Sequence, residues 1–212
     1  MSSDRVRERA GEVLAWELTV GYASREHLID LLGDALADDG LEVTDATVEE
    51  LVDGALTERR RDEETWRGPT DHDRLIAALD ELDRSGIVSR ECYGATISDA
   101  ESAVRQEAEG IAATAPVRGT CTFNIQDAEG AANGGLLYLS YASFTSREDA
   151  RIGAEVAAAL RGHGLNVEWS GQTRHRIGAR VPDWRVRRST GDPQRRTMQG
   201  CSGIWSAADT SR

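Results

Sequence analysis

Arginines recur near the C-terminal end of the sequence, where they surround one tryptophan. The residues are Arg174, Arg176, Arg180, Arg185, Arg187 and Arg188, with Trp184 among them. Guanidinium groups can bind phosphates through paired hydrogen bonds, and an indole can stack on a base, so nucleic-acid binding is one hypothesis. Residues 1–115 argue against it, because their 28 acidic residues outnumber their 12 arginines and would repel an anionic partner. Outward charge on an edge strand also has a simpler role, since it prevents aggregation.

A second candidate site lies at the polar step Gln126-Asp127, which follows a segment with the pattern of a strand. Binding and catalytic residues often lie in the segments that follow strands. With Tyr138 or Tyr141 these two residues could form a small-molecule or enzyme site, and this is an alternative hypothesis for the function.

Other catalytic and metal-binding patterns are missing from the sequence. Zinc sites take about four closely spaced Cys or His ligands, whereas His27, His72, His163 and His175 are scattered. The acids on either side of His72 are better explained as a helix start, in which Thr70 and Asp73 form a capping box. There is no Gly-x-Ser-x-Gly motif, and the sequence contains no lysine for a phosphate-binding loop. We therefore predict no catalytic residue, no metal and no cofactor.

The first part of the chain has the periodicity of helices. Apolar residues at helical spacing predict a helix up to Gly21 and further helices over 24–40, 47–60, 71–85 and 98–112. The segment 61–70 is rich in charge and contains Gly68-Pro69 near its end, and we interpret it as a mobile loop. Residues 1–60 are then an N-terminal helical region.

The second part of the chain alternates between apolar and polar residues. Strands are predicted over 117–126, 136–142, 165–170 and 174–181, with a crossover helix over 147–161. In the first strand Thr120, Thr122 and Asn124 would face solvent, which predicts a partly open sheet face. The predicted fold is α+β, with a small mixed four-stranded sheet in a core of residues 71–188. The segment 189–212 has no periodicity, and we expect a disordered tail.

Three segments carry a resemblance to a known family. They read TDHDRLIAALDELDRSGIVSRECYG (70–94), RGTCTFNIQDAEGAANGGLLYLSYASF (118–144) and IGAEVAAALRGHGLNVEWSGQTRHRIGARVPDWRVRR (152–188). Together they resemble an uncharacterised bacterial family classed as a domain of unknown function. The resemblance implies a fold and no activity. The family's cysteine cluster is reduced here to Cys92, and Asn124 stands where many members have histidine, so any thiol or metal chemistry of the family is expected to be missing.

These observations favour an acidic cytoplasmic protein that works as a non-catalytic protein-binding or regulatory module. No apolar segment approaches the length of about 20 residues that a membrane-spanning helix needs. The first twelve residues lack the apolar stretch of a signal peptide, and three widely separated cysteines do not suggest disulfides. The candidate binding residues are Gln126, Asp127, Arg174, Arg176, Arg180 and Trp184, and we expect an unidentified protein partner.

Overall fold

The computed structural model describes residues 3–144 and 147–188, which form two compact units. The first unit contains residues 3–68 together with Arg187 and Arg188, and the second runs from Pro69 to Val186. The predicted tail, 189–212, lies outside the described residues. Within the described ranges no helix is both long and apolar enough to cross a membrane.

The first unit consists of three helices, α1 (Ser3–Val20), α2 (Arg25–Asp38) and α3 (Asp45–Thr65). Their apolar faces form one core, with Leu28, Leu32 and Leu36 of α2 fully buried. Helix α3 extends further than predicted, so residues 61–65 are helical and not part of a loop. Charged residues at helical spacing, such as Arg59 and Glu63, stabilise this extension because they lie on the same helix face.

The second unit is built around a mixed sheet, which confirms the predicted α+β class. Its strands are β1 (Ile87–Arg90), β2 (Gly119–Thr122), β3 (Leu136–Ser143), β4 (Asn166–Glu168) and β5 (Ile177–Arg180), and its helices are α4 (Asp71–Arg84), α5 (Ile97–Ala112), α6 (Ile125–Ala132) and α7 (Asp149–Gly162). The sheet order is β1-β2-β3-β5-β4, and among the strand pairs of the described residues β1 and β2 are parallel while the other three are antiparallel.

The sheet has five strands, so the prediction of four was wrong. The additional strand is β1, a four-residue segment in which apolar Ile87 and Val88 precede polar Ser89 and Arg90. All four residues are buried, so the strand shows none of the alternation by which a half-exposed strand is identified. The predicted crossover helix is present as α7, which joins β3 to the parallel strand β4 on the far side of β5.

Strand β2 is buried on both faces, contrary to the predicted open face. Gly119 and Cys121 point toward α7, where Ile152 lies close to Gly119, whereas Thr120 and Thr122 point toward α5. The strand is also shorter than predicted, because Asn124 caps α6 and starts a helix there. Burial raises the pKa of the Cys121 thiol to about 12, so the thiol is protonated at neutral pH and packs as a small core residue.

Replacing Gly119 by alanine tests the close contact between β2, β3 and α7. An added Cβ would lie 2.4 Å from the carbonyl oxygen of Ala142 and 3.1 Å from the side chain of Ile152. We expect Gly119→Ala to lower the free energy of unfolding by about 1–3 kcal/mol in urea denaturation. The matched control is Gly110→Ala in α5, where the added methyl group meets nothing within 4 Å. That variant should gain about 0.5–1 kcal/mol from helix propensity, and equal effects at both positions would contradict the packing described.

Candidate functional site

Helix α5 packs over strands β1 and β2. Capped by Thr96 and Asp99, it buries Ala100, Val104 and Ala108 in an apolar cluster with two residues of the β1 region, Val88 and Tyr93. The buried residues of the helix lie along this stripe, whereas Ile97 at its start is exposed. Its position over the sheet therefore depends on contacts at one side.

A polar network holds the same side of α5. The Arg90 guanidinium binds both carboxylate oxygens of Glu107, with Nε at 2.9 Å from Oε1 and 3.0 Å from Oε2, and it also contacts Asp83. The hydroxyl of Tyr93 donates to the second oxygen of Glu107 at 2.7 Å. Burial raises the pKa of Asp83. Burial opposes ionisation of Glu107 as well, but the hydrogen bonds from Arg90 and Tyr93 outweigh it and keep the pKa of Glu107 below its ordinary value.

Replacing Glu107 by glutamine should destabilise the second unit, because Arg90 then loses its main counter-charge in a mostly buried position. We expect a loss of about 1–3 kcal/mol in urea denaturation at pH 7. Because the pKa of Glu107 is lowered in the folded protein, its ionised form stabilises the fold fully at pH values above 4.5, the ordinary pKa of glutamate. This contribution disappears as the pH falls through the lowered pKa. The difference between the two proteins should therefore shrink on acidification below pH 4.5.

The control for this prediction is Glu109→Gln on the same helix. Glu109 forms an exposed pair with Arg105, and such pairs contribute at most about 1 kcal/mol. A loss in Glu109→Gln as large as that in Glu107→Gln would show that the network around Arg90 does not hold the helix.

A cleft lies between the polar face of α5 and the small side chains that β2 and β3 present to it. The cleft has a volume of about 370 Å³, and its lining residues are Ser98, Glu101, Ser102, Val104, Arg105, Thr120, Thr122, Ser140, Tyr141 and Ala142. Four of the helix residues, Ser98, Glu101, Ser102 and Arg105, share one face because their spacing is helical. The cleft exists because this helix face is polar and the strand residues opposite it are small.

The floor of the cleft is a group of hydroxyl-bearing side chains. Thr122 pairs with Ser140 across β2 and β3, and Thr120 pairs with Ala142, so all four side chains project from one sheet face. The Oγ atom of Ser140 is buried and has no hydrogen-bond partner among the described atoms. A buried hydroxyl without a partner is costly, so a ligand oxygen or nitrogen would be stabilised here once rotation of the Ser140 side chain turns the hydroxyl, which has almost no accessible surface as placed, toward the cleft.

Two charged residues of α5 lie at the cleft. Arg105 is engaged elsewhere, since its Nε lies 3.2 Å from Glu109 and its guanidinium carbon 5.5 Å from the ring centre of Phe144. Glu101 is exposed, and no ion pair with it occurs in the described part of the chain. The cleft therefore presents one available carboxylate.

The structure places the predicted residue Asp127 within a helix start and an ion pair. Its backbone N–H donates to the Asn124 side chain at 3.0 Å, and its carboxylate accepts from the Asn124 backbone at 3.1 Å. Arg176 binds the same carboxylate, at 2.9 Å for one oxygen, and also donates to the carbonyl oxygen of Tyr138. Asp127 and Arg176 are thus brought together, while Gln126 is exposed.

The two tyrosines considered with Asp127 lie on opposite sides of the sheet. Tyr138 is 44% exposed, and the Arg176 guanidinium lies 5.8 Å from its ring centre. Tyr141 instead packs edge-on against Trp169 of the α7 side and donates its hydroxyl to backbone carbonyl oxygens.

The other arginines near the C-terminal end have protein partners. Arg174 donates to His175, Arg180 pairs with Glu168, and Arg185 pairs with Asp183. In the first unit, Arg187 and Arg188 donate to backbone carbonyl oxygens and the Arg188 backbone donates to Glu63. Trp184 is buried edge-on against His72 at 5.4 Å between ring centres. Within the second unit, Arg174, Arg180 and Arg185 each contact a partner of their own, and Trp184 is buried instead of exposed beside them.

His72 belongs to a buried pair and not to a ligand cluster. Its Nε2 lies 3.1 Å from the carboxylate of Glu91, and the predicted capping box of Thr70 and Asp73 is confirmed at the start of the same helix. In residues 3–144 and 147–188, no group of three or more His, Cys, Asp or Glu side chains is arranged to hold a metal ion.

Sequence reasoning missed the cleft, although one signal was present. The stripe Ser98, Glu101, Ser102 and Arg105 puts polar residues on a helix face adjoining the apolar stripe of α5. Ser140 carried no signal, because a serine within an apolar strand has no distinguishing pattern until the neighbouring strand and helix are known.

Comparison with known proteins identifies the family and adds no activity. No curated protein matches the chain, and no solved structure matches it. Residues 3–188, which include both described units, match the model of one protein family. The chain therefore belongs to the family described as domain of unknown function (DUF6891).

Proposed function

We propose that this chain is a non-catalytic binding module that holds a small polar molecule in the cleft between α5 and the β2–β3 pair. The observation that carries the proposal is the buried, unpartnered hydroxyl of Ser140 on the floor of that cleft. The volume of about 370 Å³ lies within the range of small-molecule sites. The lining residues offer hydroxyls, one carboxylate and one guanidinium for hydrogen bonding, and no histidine or lysine lies among them to activate a hydroxyl for nucleophilic attack.

A regulatory role follows from where such a ligand would lie. Helix α5 is anchored on its β1 side, so a ligand that contacts both the helix and β3 would connect the less supported side of the helix to the sheet. A ligand that binds only the folded state raises stability by mass action. Ligand binding would therefore hold α5 more firmly against the sheet.

Replacing Ser140 by alanine tests the proposal, because the hydroxyl has no protein partner to lose. We expect Ser140→Ala to leave the free energy of unfolding unchanged or to raise it by up to about 1 kcal/mol. The control is Ser89→Ala in β1, where the hydroxyl donates to the Ile87 carbonyl oxygen at 3.0 Å. That variant should lose about 1 kcal/mol. If Ser140→Ala is destabilised like Ser89→Ala, the hydroxyl has a protein partner and the proposal loses its basis.

A protein partner is a second candidate, and the exposed ring of Tyr138 favours it. Tyr138 is 44% exposed beside Arg176, and exposed tyrosine and arginine are common at protein interfaces. We expect a nuclease-treated pull-down from the host to retain a stoichiometric partner that Tyr138→Ala loses. The control is Trp16→Ala, since Trp16 is similarly exposed at 41% in the first unit. A set of captured proteins that is the same for both variants would contradict this candidate.

A further inference from the structure

We infer that the ligand of the α5 cleft is an amine that also carries hydroxyl groups, such as an amino sugar or an amino polyol. This inference rests on the proposed function and specifies its ligand class. It depends on the charges at the cleft, on the start of α5 and on the hydroxyl floor.

The charges at the cleft favour a cation. Glu101 lines the cleft with no ion pair in the described part of the chain, whereas Arg105 already contacts Glu109. A carboxylate without a counter-charge attracts an ammonium group, and the attraction is stronger beside a cleft wall than in open water. An ammonium group has three donors, so it can bind Glu101 and a neighbouring hydroxyl such as that of Ser98 or Ser102.

The start of α5 does not provide a competing anion site. A helix N-terminus attracts anions through its free N–H groups, but here the Thr96 side chain accepts from the Asp99 N–H at 3.2 Å. The Asp99 carboxylate accepts from the Thr96 backbone and hydroxyl, at 3.3 and 2.7 Å. This capping box satisfies donors and adds a negative charge, so the helix start repels a phosphate or carboxylate.

The floor of the cleft favours hydroxyl groups on the ligand. The hydroxyls of Thr120 and Ser140 each combine a donor with an acceptor, so they match a ligand group that also does both, whereas the Thr122 hydroxyl donates to the Phe123 carbonyl oxygen at 3.4 Å and can only accept. A hydroxyl has this property, whereas a methyl group would leave Ser140 unpartnered and a carboxylate could only accept. The combination of one carboxylate at the helix and hydroxyls on the floor therefore selects an amine at one end of the ligand and hydroxyls at the other.

Matched hexoses test the inference on the full chain. Glucosamine, glucose and glucuronate share a ring and differ in charge, and their dissociation constants can be measured by protein-observed NMR titration. We expect glucosamine to bind at least about tenfold more tightly than glucose, and glucuronate to bind more weakly than either. The preference for glucosamine should fall as salt is raised, because the contact with Glu101 is partly exposed.

Two substitutions separate this inference from the function on which it rests. Glu101→Gln should remove the preference for glucosamine over glucose, whereas Glu168→Gln should not, since Glu168 lies on β4 and does not line the cleft. Ser140→Ala should weaken both sugars. If glucose and glucosamine bind equally and both depend on Ser140, the amine inference is overturned and the cleft remains a binding site. If no sugar binds, or if Ser140→Ala leaves sugar binding unchanged, the hydroxylated-amine class is overturned. If none of the three hexoses shifts the NMR signals of α5 and β3, the cleft itself loses its support as a binding site.

Discussion

The attachment of helix α5 to strand β1 is the constraint on which the second unit and its cleft depend. Arg90 extends from the end of β1, and Glu107 meets it from the fourth turn of the helix while Tyr93 supports the same carboxylate. Because the polar network and the apolar cluster both lie on one side, α5 is held at an offset from the middle of the sheet. The cleft lies beside these contacts, and so its geometry is decided largely by residues that do not line it, with Val104 belonging to both groups.

The sequence predicts those helices and strands of this protein that have one apolar face and one polar face. Helices with apolar stripes and capping residues, such as α4 with Thr70 and Asp73, follow from local sequence. The sheet was harder, because β1 is buried throughout and has no alternation, and because Thr120 and Thr122 look like solvent-facing residues until α5 covers them. The capping residue Asn124 was taken for a strand residue, since one polar side chain can serve either purpose.

For the candidate site, prediction from the sequence is limited in the same way for single residues. The chemistry of Asp127 and Arg176 makes them candidates from the sequence alone, and the structure brings them together as an ion pair at a helix start. The sequence does not single out Ser140, since its importance comes from what is missing around its hydroxyl and not from its type. A residue that matters for an unmet hydrogen bond can be found only after its neighbours are placed in space.

The position of β5 between β3 and β4 has a consequence for biosynthesis. The last strand of the described residues is an interior strand of the sheet, and it pairs Ile177–Arg180 with Leu136–Leu139 across about forty intervening residues. While the ribosome is still adding the C-terminal part, the nascent polypeptide has an uncovered strand edge at β3, with Leu137 and Leu139 beside it. Such an intermediate is prone to pair with other chains, so chaperone capture during translation would protect this protein until Arg180 has emerged.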